Sequence, residues 1–142
     1  MNHALELSYD VDGENFIAAG EASTDMKRAL KRIGVDSDLI RRAAICMYEG
    51  EINLVIHGGG GQAVVRFDGE QLEIALTDQG PGIPDISKAL EEGFSTATQE
   101  VRELGFGAGM GLPNMRRYAD DFDLKSEVGV GTEVVMRLRA RE

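Results

Sequence analysis

Glycine is concentrated in three short stretches, and these stretches limit where helices and strands can run in this chain. They span Gly58 to Gly61, Gly80 to Gly82 and Gly105 to Gly111. Because glycine loses more backbone entropy on ordering than any other residue, regular structure tends to end where glycines are dense. The chain is therefore divided into segments whose patterns can be interpreted one at a time.

The segments between the glycine stretches have either the two-residue period of strands or the spacing of helices. In chain order they predict a strand over Leu5 to Val11, helices over about Asn15 to Ile33 and about Asp36 to His57, a hairpin of Gln62 to Phe67 and Gln71 to Thr77, helices over about Ile86 to Glu92 and Leu112 to Ala119, and a last hairpin of Phe122 to Glu127 and Thr132 to Arg139. This order predicts an α+β fold, a two-layer sandwich in which helices cover one face of a mixed, mainly antiparallel sheet. With 142 residues and 42% apolar composition, we expect a single domain over residues 1–142.

Charge and cysteine content exclude several classes of partner and site. The chain has 25 acidic and 15 basic residues, a formal charge of −10, so its field opposes a phosphate backbone and nucleic acid is not expected as a partner. No apolar stretch approaches the roughly 20 residues of a membrane span, so we expect a cytoplasmic protein with no membrane contact. The single cysteine, Cys46, excludes an internal disulfide and a thiol cluster for zinc, and we expect it in the core.

The second predicted helix carries a row of polar residues. Glu49, Asn53 and His57 are four residues apart and share one face, whereas Glu51 points about 200° away from Glu49 and should have a different environment. We therefore expect replacement of Glu51 to leave a site at Glu49 unchanged. A carboxylate and an amide in an apolar stripe are costly unless they are hydrogen-bonded, solvated by a pocket or bound to a metal. A polar seam satisfied by the backbone, with His57 near the negative end of the helix dipole, is the alternative.

Two predicted strands carry a polar residue at one end of their core-facing row. Asp78 has the parity of the apolar residues in Gln71 to Thr77, and Thr132 has the parity of those in the last strand. The alternative for Asp78 is a residue that caps the turn at Gly80-Pro81-Gly82. Two polar tips that face the core predict a buried polar ligand.

The third glycine stretch precedes a predicted helix, in the run from Gly105 through Gly107, Gly109, Met110 and Gly111 to Leu112. Glycines permit close backbone approach, and the following helix N-terminus offers free N–H groups to an anion such as a phosphate. A flexible linker would have a similar composition. The sequence contains neither a Walker lysine motif nor a strand-glycine-helix dinucleotide fingerprint.

Taken in order, these motifs resemble those of the GHKL, or Bergerat-fold, ATPases over about Arg41 to Met136. The family's E-x-x-x-N-x-x-x-H box resembles Glu49 to His57, its D-x-G-x-G box resembles Asp78 to Gly82, its G-x-G-[LF] box resembles Gly109 to Leu112, and its late Gly-Thr pair resembles Gly131-Thr132. In its small size and in the segment Gly93-Phe94-Ser95-Thr96, the chain resembles one branch of this family, the bacterial anti-sigma-factor serine kinases and stress-switch kinases.

The resemblance implies a Bergerat ATP-binding fold with ATP or ADP and Mg²⁺ as cofactors. It implies that Glu49 is the catalytic base, that Asn53 is the Mg²⁺ ligand, and that Asp78, supported by Thr132, accepts a hydrogen bond from the adenine amino group. The other cofactor-binding residues that it implies are His57, Gly80, Gly82, Ile83, Ser95, Thr96, Gly107, Gly109, Met110, Gly111 and Leu112.

The function implied by the resemblance is that of an anti-sigma regulatory factor and serine/threonine protein kinase. It would transfer the γ-phosphate of ATP to a partner regulator, with a phosphoacceptor regulator, a sigma-like factor or both as protein partners. Many anti-sigma kinases have a basic residue after the Ser-Thr pair, whereas this chain has Ala97. That difference favours the alternative of a non-catalytic ATP- or ADP-sensing module that selects partners. A third alternative for the function is a slow ATPase subunit. The sequence also leaves undecided whether the first strand pairs in a homodimer.

Overall fold

The computed structural model describes residues 5–13, 20–56, 59–80, 82–83 and 111–140. Its elements are β1 (Leu5–Asp12), α1 (Glu21–Arg32), α2 (Ser37–Ile56), β2 (Gly60–Phe67), β3 (Gln71–Asp78), α3 (Gly111–Tyr118), β4 (Asp121–Glu127) and β5 (Gly131–Arg139). The α+β class is confirmed, and so are both predicted hairpins. The helix predicted over Ile86 to Glu92 lies outside the described residues.

The described strands form one sheet in the order β1-β2-β3-β5-β4. All four strand pairs are antiparallel, so the parallel pairing that a mixed sheet would include does not occur among these strands. β3 pairs with β5 along its whole length, from Gln71 opposite Arg139 to Asp78 opposite Thr132. This register brings the two predicted polar strand tips side by side.

One face of the sheet is covered by the helices, and the other carries ion pairs. On the open face, Arg66 of β2 lies 3.1 Å from Glu6 and 3.8 Å from Glu73, and Arg137 of β5 lies 3.3 Å from Glu73. Exposed ion pairs of this kind contribute little to stability. They nevertheless identify the solvated face of the sheet, and the predicted two-layer arrangement is confirmed.

Helix α2 is the centre of the helical layer and contacts both other described helices and four of the strands. It approaches β3 closely at Gly50, where a Cβ atom would lie 2.7 Å from Leu76 Cδ2. Cys46 is fully buried in this core, as expected, and burial is the main cause that raises the pKa of its thiol to about 12. None of the helices in the described ranges is long and apolar enough to cross a membrane.

Helix α1 begins later than predicted. Gly20 precedes it with a φ angle of +103°, which is incompatible with a helix, so the prediction that this helix starts near Asn15 and runs through Gly20 is wrong. A carboxylate from α2 meets the first turn instead. Glu51 Oε2 accepts hydrogen bonds from the N–H groups of Gly20 at 3.0 Å and Ala22 at 3.2 Å, and Glu51 Oε1 accepts one from Ser23 at 2.6 Å.

The different environments expected for Glu49 and Glu51 are therefore confirmed. The expectation that replacement of Glu51 leaves a site at Glu49 unchanged stays a prediction, but Glu51 has a structural role of its own. Glu51 is only 2% exposed and satisfies donors at the start of a helix that have no acceptor within that helix. Burial raises the pKa of Glu51, and the three backbone N–H groups oppose that rise. Replacement of this side chain would disturb the contact between α1 and α2.

The opposite end of α2 is held by the guanidinium of Arg42, which is fully buried. It donates hydrogen bonds to Asp38 at 3.0 Å, to Asp120 at 3.4 Å, to the carbonyl of Tyr118 at 3.5 Å and to the carbonyl of Arg139. A buried charge is tolerated only with such compensation. Arg42 thus joins α2 to the ends of α3 and β5.

Candidate functional site

Asp78 ends β3 on the face that packs against the helices. Leu76, the preceding residue of the same parity, is buried, and Asp78 itself is half-buried, which confirms the predicted orientation. Asp78 Oδ1 accepts hydrogen bonds from the N–H of Gly80 at 2.9 Å and from the N–H of Thr132 at 3.2 Å. Asp78 therefore also caps the turn, as the alternative interpretation proposed. Both bonds use Oδ1. Among the described residues, no hydrogen bond to Oδ2 is found, so Oδ2 is available to a ligand.

A pair of hydroxyl groups joins β4 and β5 beside Asp78. Ser126 and Thr132 are register partners, and their Oγ and Oγ1 atoms are 2.9 Å apart. Ser126 Oγ also accepts a hydrogen bond from the N–H of Ile83 at 2.7 Å and lies 3.2 Å from the carbonyl oxygen of Gly131. This network links the segment after β3 to the hairpin of β4 and β5.

Glycine is required at two positions of this region by close contacts between backbone segments. Gly82 has a φ angle of +79°, and a Cβ atom there would lie 2.5 Å from the carbonyl oxygen of Glu127. At Gly131, with φ of +149°, a Cβ atom would lie 2.2 Å from the carbonyl oxygen of Asp78. Side chains at either position would separate the Asp78 segment from the β4–β5 hairpin.

Glu49 and Asn53 lie one turn apart in α2, and both are half-buried. A side-chain hydrogen bond from Asn114 of α3 reaches the Glu49 carboxylate. Burial raises the pKa of Glu49, and this hydrogen bond opposes the rise because it stabilises the charged form. A carboxylate whose pKa is raised towards physiological pH is suited to accept and release protons.

The close contact between Gly50 and Leu76 relates these two parts of the site. Gly50 follows Glu49 directly, and Leu76 is the residue of β3 that precedes Asp78 on the same face. The turn of α2 that carries Glu49 therefore packs against the end of β3 that carries Asp78. The structure therefore places the α2 turn of Glu49 and Asn53 beside the two polar strand tips, as a shared binding site requires.

Glu49 can also be reached from outside the site. It forms part of the wall of an open cavity of about 1510 Å³ between β1, α1 and α2. Tyr48 and Ile45 of the same helix line this cavity, whereas Asp78 and Thr132 are not among its described lining residues. Glu49 thus belongs both to the turn of α2 that packs near Asp78 and to the wall of this opening.

Several predicted site residues are described in part or not at all. Gly111 begins α3, and Leu112 is half-buried in its first turn. Outside the described residues lie His57, Ser95, Thr96, Gly107, Gly109 and Met110. In the described ranges, no group of three or more His, Cys, Asp and Glu side chains could hold a metal ion.

Two residues of this region, Ser126 and Asn114, were not among the predicted site residues. Ser126 has the parity of Phe122 and Leu124, so the alternation of β4 contains the signal that could have identified it. Asn114 lies in the first turn of the helix that follows the third glycine stretch, but no local pattern indicates that this helix would pack against α2. Its hydrogen bond to Glu49 depends on that packing.

Comparison with known proteins decides the family. A family model described as the histidine kinase-like ATPase domain matches residues 17–138. The chain belongs to this family. As a histidine kinase-like ATPase domain, it is a nucleotide-using protein, which confirms the family-level resemblance drawn from the motifs.

Two relatives indicate which branch of the family the chain resembles. The chain is 35% identical over 112 residues to the serine/threonine-protein kinase RsbT of Bacillus subtilis (strain 168), an alignment that covers 76% of this chain and 78% of that protein. It is 33% identical over 117 residues to the anti-sigma F factor of Thermoanaerobacter sp. (strain X514), with 82% of this chain and 69% of that protein covered. These two relatives confirm the resemblance to the branch of anti-sigma factors and serine/threonine kinases.

A solved structure supports the fold alone. The histidine kinase-like ATPase domain described here is similar to the crystal structure of the RsbU and RsbW domains of a Mycobacterium tuberculosis protein, with a TM-score of 0.66 and 16% identity. The match covers 95% of this chain and 32% of that longer chain.

Proposed function

We propose that this chain is a Mg²⁺-ATP-dependent serine/threonine protein kinase of the anti-sigma regulatory type, with residues 1–142 forming one ATP-binding domain in the cytoplasm. The observation that carries the proposal is the state of Glu49. Glu49 is half-buried, burial raises the pKa of its carboxylate against an opposing hydrogen bond from Asn114, and the residue lines an opening to the surface. The similarity to RsbT, a protein named as a serine/threonine kinase, supports the same reaction.

Asp78 is the proposed recognition group for adenine. Its Oδ2 would accept a hydrogen bond from the adenine amino group while Oδ1 stays bonded to the N–H groups of Gly80 and Thr132. These two bonds orient the carboxylate before the nucleotide arrives, so little side-chain entropy is lost on binding. Gly82 and Ile83 would line the same pocket.

Asn53 is the proposed protein ligand of Mg²⁺. Magnesium is held by oxygen atoms, and in nucleotide sites it is bound mainly by phosphates and water with one or two protein groups. A single half-buried amide one turn from Glu49 fits that requirement. The ion would neutralise phosphate charge, which matters in a chain with a formal charge of −10. The N–H groups at the start of α3, at Gly111 and Leu112, would bind a phosphate oxygen.

The proposed reaction transfers one phosphoryl group to a protein hydroxyl. Glu49 takes the proton of a partner serine or threonine, the hydroxyl oxygen forms a bond to the γ-phosphorus of ATP, and the bond from that phosphorus to the β,γ-bridging oxygen breaks. ADP leaves with the electron pair of the broken bond. Asn114 keeps the Glu49 carboxylate oriented and partly stabilises its charged form. His57, Ser95, Thr96, Gly107, Gly109 and Met110 remain further cofactor-binding candidates on the basis of the resemblance.

A second candidate function is nucleotide-dependent selection of protein partners without phosphoryl transfer. Ala97, which follows Ser95-Thr96, favours it, because the basic residue found there in many anti-sigma kinases is missing. The relative named anti-sigma F factor supports a protein partner under either function. The partner would be a regulator that carries the phosphoacceptor, a sigma-like factor, or both, and a homodimer is compatible with each.

The test separates ATP binding from chemistry. Glu49→Ala should leave the affinity for Mg²⁺-ATP within about twofold of wild type but lower phosphoryl transfer by about 10²- to 10⁴-fold, the usual contribution of a general base. Asp78→Asn should lower the affinity tenfold or more, because one acceptor becomes a donor, and Asn53→Ala should weaken the dependence of binding on Mg²⁺. Calorimetry measures binding, and transfer of labelled phosphate to candidate serine-bearing regulators measures the reaction.

Glu70→Ala is the matched control, because Glu70 is an exposed glutamate of the β2–β3 turn. It should change neither property. Normal ATP binding without transfer to any of these regulators, combined with nucleotide-dependent partner binding, would replace the kinase by the sensing module. Unchanged affinity in Asp78→Asn would refute the adenine assignment.

A further inference from the structure

The hydroxyl of Ser126 has contacts that the proposed reaction does not use. It is half-buried at the end of β4 and interacts with three groups: the N–H of Ile83 at 2.7 Å, Thr132 Oγ1 at 2.9 Å and the carbonyl oxygen of Gly131 at 3.2 Å. Two of these residues, Ile83 and Thr132, belong to the proposed adenine site. Ser126 is therefore the connection between both sides of that site.

We propose that Ser126 is a positioning residue that makes the Thr132 hydroxyl a hydrogen-bond acceptor and thereby causes the site to prefer adenine over guanine. This inference rests on the proposed function, because it assumes that the nucleotide base binds at Asp78. It adds a determinant of base specificity that does not itself touch the base.

The direction of each hydrogen bond follows from counting donors and acceptors. A serine hydroxyl has one hydrogen and two lone pairs. The N–H of Ile83 donates to one lone pair, and the carbonyl of Gly131 can only accept, so it takes the Ser126 hydrogen. The contact with Thr132 must then be a bond that Thr132 donates to the second lone pair of Ser126. The hydrogen and both lone pairs of the Ser126 hydroxyl are used in this arrangement.

The reverse arrangement satisfies fewer groups. If Ser126 donated its hydrogen to Thr132, the interaction with the carbonyl of Gly131 would be lost and one lone pair of Ser126 would have no donor. Partly buried polar groups without partners are unfavourable. The first arrangement is therefore preferred, and in it the hydrogen of Thr132 is already used while the lone pairs of Thr132 Oγ1 stay available.

An acceptor at Thr132 distinguishes the two purines. The exocyclic group of adenine is an amino group that donates, whereas the corresponding group of guanine is a carbonyl oxygen that only accepts. Asp78 Oδ2 is also an acceptor, so both polar groups at this end of the site favour an amino group in direct contact. A guanine carbonyl at this position would face two acceptors without a hydrogen between them.

The test compares the affinities of wild type and variants for Mg²⁺-ATP and Mg²⁺-GTP by calorimetry. Ser126→Ala frees the Thr132 hydroxyl to rotate and donate, so the ratio of ATP to GTP affinity should fall about tenfold. Ser126→Thr keeps the hydroxyl and should keep the ratio within about twofold. Thr132→Val removes the acceptor and should also lower the ratio, and the double variant Ser126→Ala/Thr132→Val should lower it no further than Thr132→Val alone.

A purely structural role for Ser126 would give a different result, because loss of stability weakens ATP and GTP binding equally and leaves the ratio unchanged. An unchanged ratio in Ser126→Ala would overturn the inference. If that variant does not fold, Thr132→Val decides: it keeps the backbone N–H that bonds to Asp78, and an unchanged ratio there also overturns the inference. Wild-type protein that binds no ATP would overturn the proposed function together with this inference, whereas ATP binding with unchanged ratios overturns this inference alone.

Discussion

Removal of the Glu51 side chain should destabilise the chain although Glu51 lies outside the proposed site. In Glu51→Ala, the N–H groups of Gly20, Ala22 and Ser23 all lose their acceptor. A buried donor without a partner costs about 1–3 kcal/mol, and loss of a helix cap costs about 0.5–2 kcal/mol. Water can replace part of the lost bonding, and removal of the buried carboxylate relieves the desolvation that raises its pKa. We expect a net loss of about 2–4 kcal/mol in the free energy of unfolding.

Glu51→Gln separates the charge from the shape of the side chain. The amide retains one acceptor oxygen but turns an NH₂ group towards backbone donors, so the loss should be smaller than in Glu51→Ala but still measurable. The pH dependence provides a second test. Since the pKa of Glu51 is raised in the folded state, the folded state holds this proton more tightly than the unfolded state does. The stability of wild type relative to Glu51→Gln should therefore fall as pH rises from about 4.3 through the raised pKa.

The assay is urea unfolding followed by circular dichroism, with hydrogen exchange at the amides of Ala22 and Ser23 as the local measurement. Both amides should exchange faster in Glu51→Ala, because their acceptor is gone. Glu70→Ala is again the matched control and should be within about 0.5 kcal/mol of wild type. A Glu51→Ala variant as stable as this control, with unchanged exchange at both amides, would refute the capping role.

Three further predictions concern the site and its support. Asn114→Ala removes the hydrogen bond that opposes the raised pKa of Glu49, so the acidic limb of the pH profile of phosphoryl transfer should move to higher pH; an unmoved limb would separate Asn114 from the base. Gly82→Ala forces a side chain into a φ of +79° and a 2.5 Å contact with the Glu127 carbonyl, so it should cost about 1–3 kcal/mol of stability in urea unfolding and weaken ATP binding, and wild-type values would contradict this. Arg42→Ala removes a buried guanidinium that donates to four acceptors and should cost about 3–5 kcal/mol of stability, while ATP affinity per folded molecule stays unchanged.

Much of the fold could be predicted from local patterns, because strand and helix periods are properties of neighbouring residues. The alternation from Leu5 to Val11 and the long helical segment that ends before the first glycine stretch both match the structure closely. The start of α1 could not be predicted in the same way. Its position depends on the left-handed conformation of Gly20 and on a carboxylate supplied by Glu51, which is far away in sequence.

The same limit applies to the site: local patterns identify its residues but not their arrangement. Glu49, Asn53, Asp78 and Thr132 were predicted because helix spacing and strand parity place polar side chains on core-facing rows. Their mutual arrangement could not be derived from these rows. It depends on the close contact of Gly50 with β3, for which the sequence contains a glycine but no indication of what that glycine approaches.

The sequence by itself determined the element order, the α+β class and the residues that offer the chemistry of a nucleotide site, since each follows from residue type and local spacing. Only the tertiary structure decided which polar groups support them: Asn114 on Glu49, Ser126 on Thr132, and Glu51 on the start of α1. The physical reason is that a hydrogen bond between distant segments depends on how helices and strands pack, and packing is a property of the whole core. A carboxylate two residues from the proposed base is thus a helix cap, although its residue type is the same.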